Sequence, residues 1–250
     1  MIIAHVRLDM ITLKACSATC RSWYIATLPH LHHTLTFHAK NWDSTREGFI
    51  PLRKLGEMRL LPLIKRLQIA QSHDDPWFPP MIPNAQTLVY FSALANVREL
   101  GFDEVDLSAL APQAQQYLGH FAPTLQSLAL RKPRGTHSQL LRFLGLFPNL
   151  DDFKLLCSHE HKLKPDQTPV PQSAPPLRGR LTLGQLDGDG LLRALSEMCG
   201  GLRFRHMDLS TMEGGRFLLD ACAETLETLR IYPVCWSSGE ISQRFQFLPV

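Results

Sequence analysis

The chain has 250 residues, 44% of them hydrophobic and 20% charged, with a formal net charge of +3. That length can bury roughly 70% or more of its unfolded surface, in one large domain or two smaller ones, and the charge is too small to argue for nucleic acid. No apolar run approaches the roughly 20 residues of a membrane span, and the start lacks the cationic and then hydrophobic pattern of a secretory signal.

The first residues, Met1-Ile-Ile-Ala-His-Val6, read as the end of a short apolar helix. Asp9 or Thr12 is suited to cap the helix that follows. Leu13, Cys16, Cys20 and Trp23 then fall at helical spacing, which predicts one apolar stripe on one helical face. Lys14, Ser17, Arg21 and Ser22 lie mostly off that stripe. Cysteine is small and commonly buried, so both thiols suit a packed face. Leu28, Leu31, Leu35 and Phe37 carry apolar positions onward. The expectation is three short helices and an extended exit.

These residues resemble the second half of an F-box, a helical docking module. Leu13, Cys16, Ser17, Cys20, Arg21 and Trp23 match its closing Leu, small-residue and Val-Cys-Arg-x-Trp pattern, with Thr19 in place of the valine. The run Leu31-His-His-Thr-Leu-Thr-Phe37 is similar to the Leu-Phe-Arg-x-Leu ending. The family's Leu-Pro-x-Glu opening is absent, so the expectation is an N-terminally truncated F-box over residues 1–39. The resemblance implies contact with a Skp adaptor through Ile2, Ile3, Leu13, Cys16, Ser17 and Cys20, while Trp23 joins the chain's own core.

After a linker and a leading helix over 40–63, the phrase Leu-x-x-Leu-x-Leu recurs through 64–250. It is clean at Ile64–Ile69, Val97–Phe102, Leu125–Leu130, Leu150–Leu155 and Leu226–Ile231, and looser at Leu177–Leu183 and Leu202–Leu209. The central positions 67, 100, 128, 153, 181, 207 and 229 are separated by 33, 28, 25, 28, 26 and 22 residues. Such spacing suits a short strand followed by a returning helix, stacked on its neighbours because one unit cannot bury its own apolar face. Ser108–Phe121, Thr136–Phe147, Asp189–Cys199 and Gly215–Leu226 read as those helices, with Thr136 and Asp189 as N-caps. This half resembles degenerate leucine-rich repeats. The Asn or Cys usual three residues after the last apolar position is missing, and Ser72, Pro133 and Ser158 stand there. The expected fold class is α/β: an irregular leucine-rich-repeat solenoid, strands on its concave face and helices outside, preceded by the all-α F-box-like module.

Two insertions, 71–86 and 158–176, each follow a predicted strand and leave from the same rim. The first holds Trp77 and Phe78 among prolines, and exposed aromatics make good interface anchors. The second is polar and Pro-rich, the composition of a mobile loop. Arg131, Lys132 and Arg134 form a small basic cluster on that rim, suited to an acidic or phosphorylated segment or simply to solvent. Trp77, Phe78, Arg131, Lys132 and Arg134 are the candidate substrate-binding residues.

Catalytic signatures are missing: the chain has no P-loop, GxGxxG, GxSxG or HExxH. Cys157, His159 and His161 lack a second pair of ligands for structural zinc. Asp187-Gly-Asp-Gly190 reads as a turn rather than a calcium loop. The six cysteines are scattered without a CxxC pair, which places them as reduced thiols of cytosol or nucleus. The reading is therefore a non-enzymatic adaptor without cofactor or metal. The F-box resemblance implies a substrate receptor of a cullin–RING ubiquitin ligase, partnered by the Skp adaptor, the cullin scaffold and a protein substrate, with no nucleic acid and no membrane. The alternative is a stand-alone repeat scaffold whose F-box does not function.

Overall fold

The computed structural model describes residues 9–38, 50–70, 93–110, 112–157, 163–166, 176–184, 190–197, 201–210 and 215–232. It opens with a pair of helices, α1 (Met10–Ser17) and α2 (Arg21–Leu31), packed on each other. Strand β1 (Thr34–His38) follows after two residues. Next come α3 (Ile50–Glu57), a 3-10 turn at Leu61–Leu63, β2 (Arg66–Ala70) and β3 (Glu99–Asp103). A second 3-10 turn at Leu107–Ala109 leads to α4 (Pro112–Gly119), β4 (Ser127–Arg131), β5 (Gly135–Thr136) and α5 (His137–Leu144). The chain continues through β6 (Asp152–Leu156), β7 (Leu163–Lys164), β8 (Leu177–Leu183), α6 (Gly190–Ser196), β9 (Leu202–Leu209), α7 (Gly215–Cys222) and β10 (Thr228–Ile231).

The recurring apolar phrase becomes an α/β fold with a parallel sheet. Eight strands among the described residues pair in the order β1-β2-β3-β4-β6-β8-β9-β10, each parallel to the last. Their central positions meet across the ladder: Leu35, Leu67, Leu100, Leu128, Phe153, Leu181, Met207 and Leu229. Leu35 extends the row at its start. The strand that reads from sequence as an exit from the N-terminal module is thus the first rung of the sheet. Parallel strands need a crossover on one face, and the helices provide it. Leu140, Leu141, Leu144, Leu191, Leu192, Leu195 and Leu218 join the inward strand residues in one buried cluster. Phe102, Phe143 and Phe147 stack edge to face within it, with centroids 5.6 and 5.4 Å apart.

Local chemistry sets the helix ends. Thr136 and Gln139 form a reciprocal capping box: Thr136 Oγ1 accepts from the Gln139 amide, and Gln139 Oε1 accepts from the Thr136 amide at 2.8 Å. The expected helix Ser108–Phe121 is instead split. Asp106 caps the Leu107–Ala109 turn through Ser108, and Pro112, lacking an N–H, starts a new helix rather than continuing one. Asp189 lies outside the described residues.

A second ladder of polar side chains runs along the edge where strands begin. Asn96 Nδ2 donates to the Pro62 carbonyl at 2.8 Å, and Asn149 Nδ2 to the Pro123 carbonyl at 3.0 Å. Thr124 Oγ1 donates to Val97 O at 2.8 Å and Thr225 Oγ1 to Phe204 O at 3.2 Å. Each tie links one unit to the unit before it, at the end where the strands begin. Replacing Asn149 by alanine should cost about 1 kcal/mol, measured by urea unfolding, because it removes one donor from a tie between units. A cost near zero would show that the ladder adds nothing. Among the described residues no helix is long and apolar enough to cross a membrane.

Candidate functional site

Two surfaces stand apart from the packed core: the helical pair and the open face of the sheet. In the pair, Asp9 caps α1, its Oδ1 accepting from the Ile11 and Thr12 amides at 3.0 and 3.2 Å. The Thr12 hydroxyl also bonds this carboxylate, and chiefly for that reason its pKa is lowered. Helix α1 stops early. Ser17 Oγ donates to Lys14 O and Thr19 Oγ1 to Cys16 O, both at 2.7 Å, so hydroxyls compete for the last carbonyls. Cys20 is extended, with φ −160° and ψ 167°, and begins α2.

This break corrects the single stripe expected over Leu13–Trp23. Leu13 is fully buried and Cys16, Ser17 and Trp23 are half-buried, but Cys20 is exposed. Leu13 is therefore closed off from solvent in this chain. The apolar side chains that do face outward are Met10, Ile11, Tyr24 and Ile25, with Ile11 82% exposed. Ile2 and Ile3 lie outside the described residues. Four large apolar side chains are thus exposed on these two short helices.

The open sheet face is polar because strand side chains alternate. One row runs Thr34, Arg66, Glu99, Ser127, Asp152, Arg180, His206, Thr228; the next runs Thr36, Gln68, Gly101, Ala129, Lys154, Thr182, Asp208, Arg230. Gly101 and Ala129 have little or no side chain, which leaves a depression of about 230 Å³ walled by Arg66, Glu99, Ser127, Arg131 and Lys154. Arg66 Nε donates to Glu99 Oε2 at 2.6 Å. Asp152 Oδ2 accepts from Ser127 Oγ at 2.9 Å and meets Lys154 Nζ at 3.0 Å. Its Oδ1 is buried without a hydrogen-bond partner among the described residues. These pairs are partly solvated and add little stability. Their effect is to fix charged groups in known positions on a rigid floor.

At the C-terminal rim the basic cluster is partly dissolved. Lys132 Nζ pairs with Glu104 Oε1 at 2.8 Å, and both residues have positive φ, 47° and 61°. Arg131 is exposed beside the depression, and Arg134 is exposed on the neighbouring turn, where its backbone forms a parallel β-bridge with that of Asp106. The three residues share the rim, and the Lys132 charge is engaged by Glu104. Trp77, Phe78 and the whole of insertion 71–86 lie outside the described residues.

The composition of insertion 158–176 reads as mobile, yet its centre is tied down. Leu163 and Lys164 pair with Gly135 and Thr136, and Leu163 is buried in the core. Asp166 accepts from the Ser138 amide at 3.2 Å and from its hydroxyl, at the start of α5. Beside it, burial lowers the pKa of His137 from the ordinary 6.5, with the Asp166 charge opposing. The unfolded chain then takes up the proton first as pH falls through about 6.5, so the fold loses stability below that value and regains it above. Melts at about pH 7.5 and about pH 5.5 should differ less for His137→Asn than for the parent. An unchanged pH slope would remove His137 from the account.

Among the described residues no group of three His, Cys, Asp or Glu side chains gathers where a metal ion would sit. Cys157 is half-buried; His159, His161 and most of 187–190 lie outside the described residues. Burial raises the pKa of the Cys222 thiol, which sits inside the core. No model of a known protein family matches the chain, and no curated protein matches it.

Proposed function

We propose that this chain is the substrate-recognition adaptor of a cullin–RING ubiquitin ligase, an F-box-like helical pair joined to an irregular leucine-rich-repeat solenoid. The observation that carries the reading is a continuity. A helical pair exposing Met10, Ile11, Tyr24 and Ile25 passes, after only His32 and His33, into the first rung of a parallel sheet with a polar open face. One end is suited to dock a helical partner, the Skp adaptor. The other is suited to hold a target protein. Strand order equal to chain order and helices sharing one core support the solenoid reading.

Within this reading the adaptor meets the exposed side of α1 and α2, flanked by Cys16, Ser17 and Cys20, with Ile2 and Ile3 preceding them. The target lies on the open face near Arg131, with Lys132 and Arg134 on the rim and Trp77 and Phe78 on the first insertion. The cullin scaffold is reached through the adaptor, in cytosol or nucleus. Rate acceleration comes from holding the target near the loaded ubiquitin, an effect of proximity. Co-purification with the Skp adaptor tests the assignment; a well-folded chain that never retains the adaptor sinks it. The alternative, a stand-alone repeat scaffold, is favoured by one observation: Leu13, a central F-box position, is wholly internal.

A further inference from the structure

Two arginines stand side by side where β8 and β9 begin. Arg178 and Arg203 are register partners in the parallel pair, and Arg180 lies on the same face of β8, two residues on. The register slips between Gly179 and Arg180, which leaves Arg205 as the extra residue of a bulge. All four arginines are exposed. Neighbouring strands lie about 4.8 Å apart and alternate residues of one strand about 6.6 Å apart, so the four side chains rise from one small patch. Like charges directly opposite one another destabilise a strand pair. Nearby carboxylates leave most of that repulsion in place. Arg205 Nε meets Glu227 Oε1 at 3.8 Å, while among the described residues Arg178, Arg180 and Arg203 form no ion pair. Asp152, the register partner of Arg180, has its Oδ2 engaged by Ser127 and Lys154. Arg178 also borders a shallow cleft of about 470 Å³, with Arg98, Gln126, Asn149 and Asp151 around it.

The side-chain type matters as much as the charge. A guanidinium is a planar fork that grips carboxylate or phosphate with two parallel bonds, and forks fixed on neighbouring strands converge on closely spaced anions. We propose that the arginines at the start of β8 and β9, with the adjoining cleft, bind a protein segment carrying closely spaced anionic groups, either acidic or phosphorylated side chains. Nucleic acid is the competing polyanion. Asp151, Asp152, Asp208 and Glu227 border the patch, which confines the positive field to the span of a few side chains. A phosphate backbone is held by a longer cationic track. The patch lies apart from the depression beside Arg131. Binding there is a property of this chain alone and does not depend on the Skp adaptor.

The test is fluorescence anisotropy with the full chain at about 0.1 M salt. Its probes are a short Gly-Ser peptide bearing a run of glutamates, the same peptide with phosphoserines in their place, a glutamine counterpart, and a single-stranded DNA oligomer. The parent is expected to bind both anionic peptides more tightly than the glutamine peptide and the DNA. The tighter of the two identifies the source of the anion, and either order supports the proposal. The double variant Arg178→Gln, Arg203→Gln should bind each anionic peptide at least about tenfold more weakly. It should also melt no lower than the parent, because it removes a like-charge pair. If the double variant unfolds, Arg203→Gln alone decides. Arg142→Gln, exposed on α5, is the control and should bind as the parent does. Equal binding by the parent and the double variant overturns the proposal, and so does an equal loss in the Arg142 control. A parent that binds neither anionic peptide, or that prefers the DNA, overturns it as well.

Discussion

Replacing Gly179 by alanine is expected to cost more than about 3 kcal/mol and to lower the melting temperature by roughly 10 °C. Gly179 has φ +77° and sits where the register between β8 and β9 shifts. A Cβ there would collide with the Asp151 carbonyl oxygen and carboxyl group. Asp151 cannot simply move away. Its carbonyl accepts from the Arg180 amide at 2.8 Å, and its own amide donates to Gln126 O at 2.8 Å. Relieving the clash therefore opens the ladder on both sides. Gly201 is the matched control: φ is +71°, but among the described residues nothing lies within 4 Å of its would-be Cβ. Its alanine variant should lose only the backbone term, about 1–2 kcal/mol. Equal losses at the two positions would show that the close approach at Gly179 is not what shapes this join.

The second large effect concerns docking. The double variant Ile11→Asp, Ile25→Asp should weaken Skp-adaptor binding by at least about 100-fold while leaving the melting temperature nearly unchanged. Both side chains are mostly exposed, so the folded chain gives up little packing. Placing two carboxylates against an apolar partner surface is costly in the complex alone. Leu13→Asp would be a poor substitute. That side chain is fully buried, and its loss of binding would report unfolding.

Much of the sheet was legible from the residues alone because parallel strands buried on one face repeat their apolar positions at fixed places in the phrase. Central positions from Leu67 to Leu229 pair as their spacing implies, even at the looser copies. What depends on backbone geometry or on contacts between distant units leaves little local pattern in the residues. Cys16 and Cys20 fit one helical stripe by spacing, but hydroxyls at Ser17 and Thr19 end the helix between them. Leu35 was hidden because its rung stands 32 residues before Leu67 and inside an F-box-like run. The Asn96, Thr124, Asn149 and Thr225 ties left a visible trace, a polar residue immediately before the first apolar position of the phrase. A short side chain there reads as an ordinary turn residue until the preceding unit's carbonyl is seen opposite it. Of the candidate site, Arg131 is placed beside the depression, whereas the Lys132 charge depends on Glu104, 28 residues earlier, and no local pattern reveals that pair.

Hydrogen–deuterium exchange on the full chain, with and without the purified Skp adaptor, tests the docking assignment most directly. The prediction is new protection confined to residues 10–25, with β3, β4 and β6 unchanged, since the proposed reading leaves the sheet face for a target. Protection that falls on the open sheet face instead, or a folded chain whose exchange the adaptor leaves unaltered, would contradict the adaptor role.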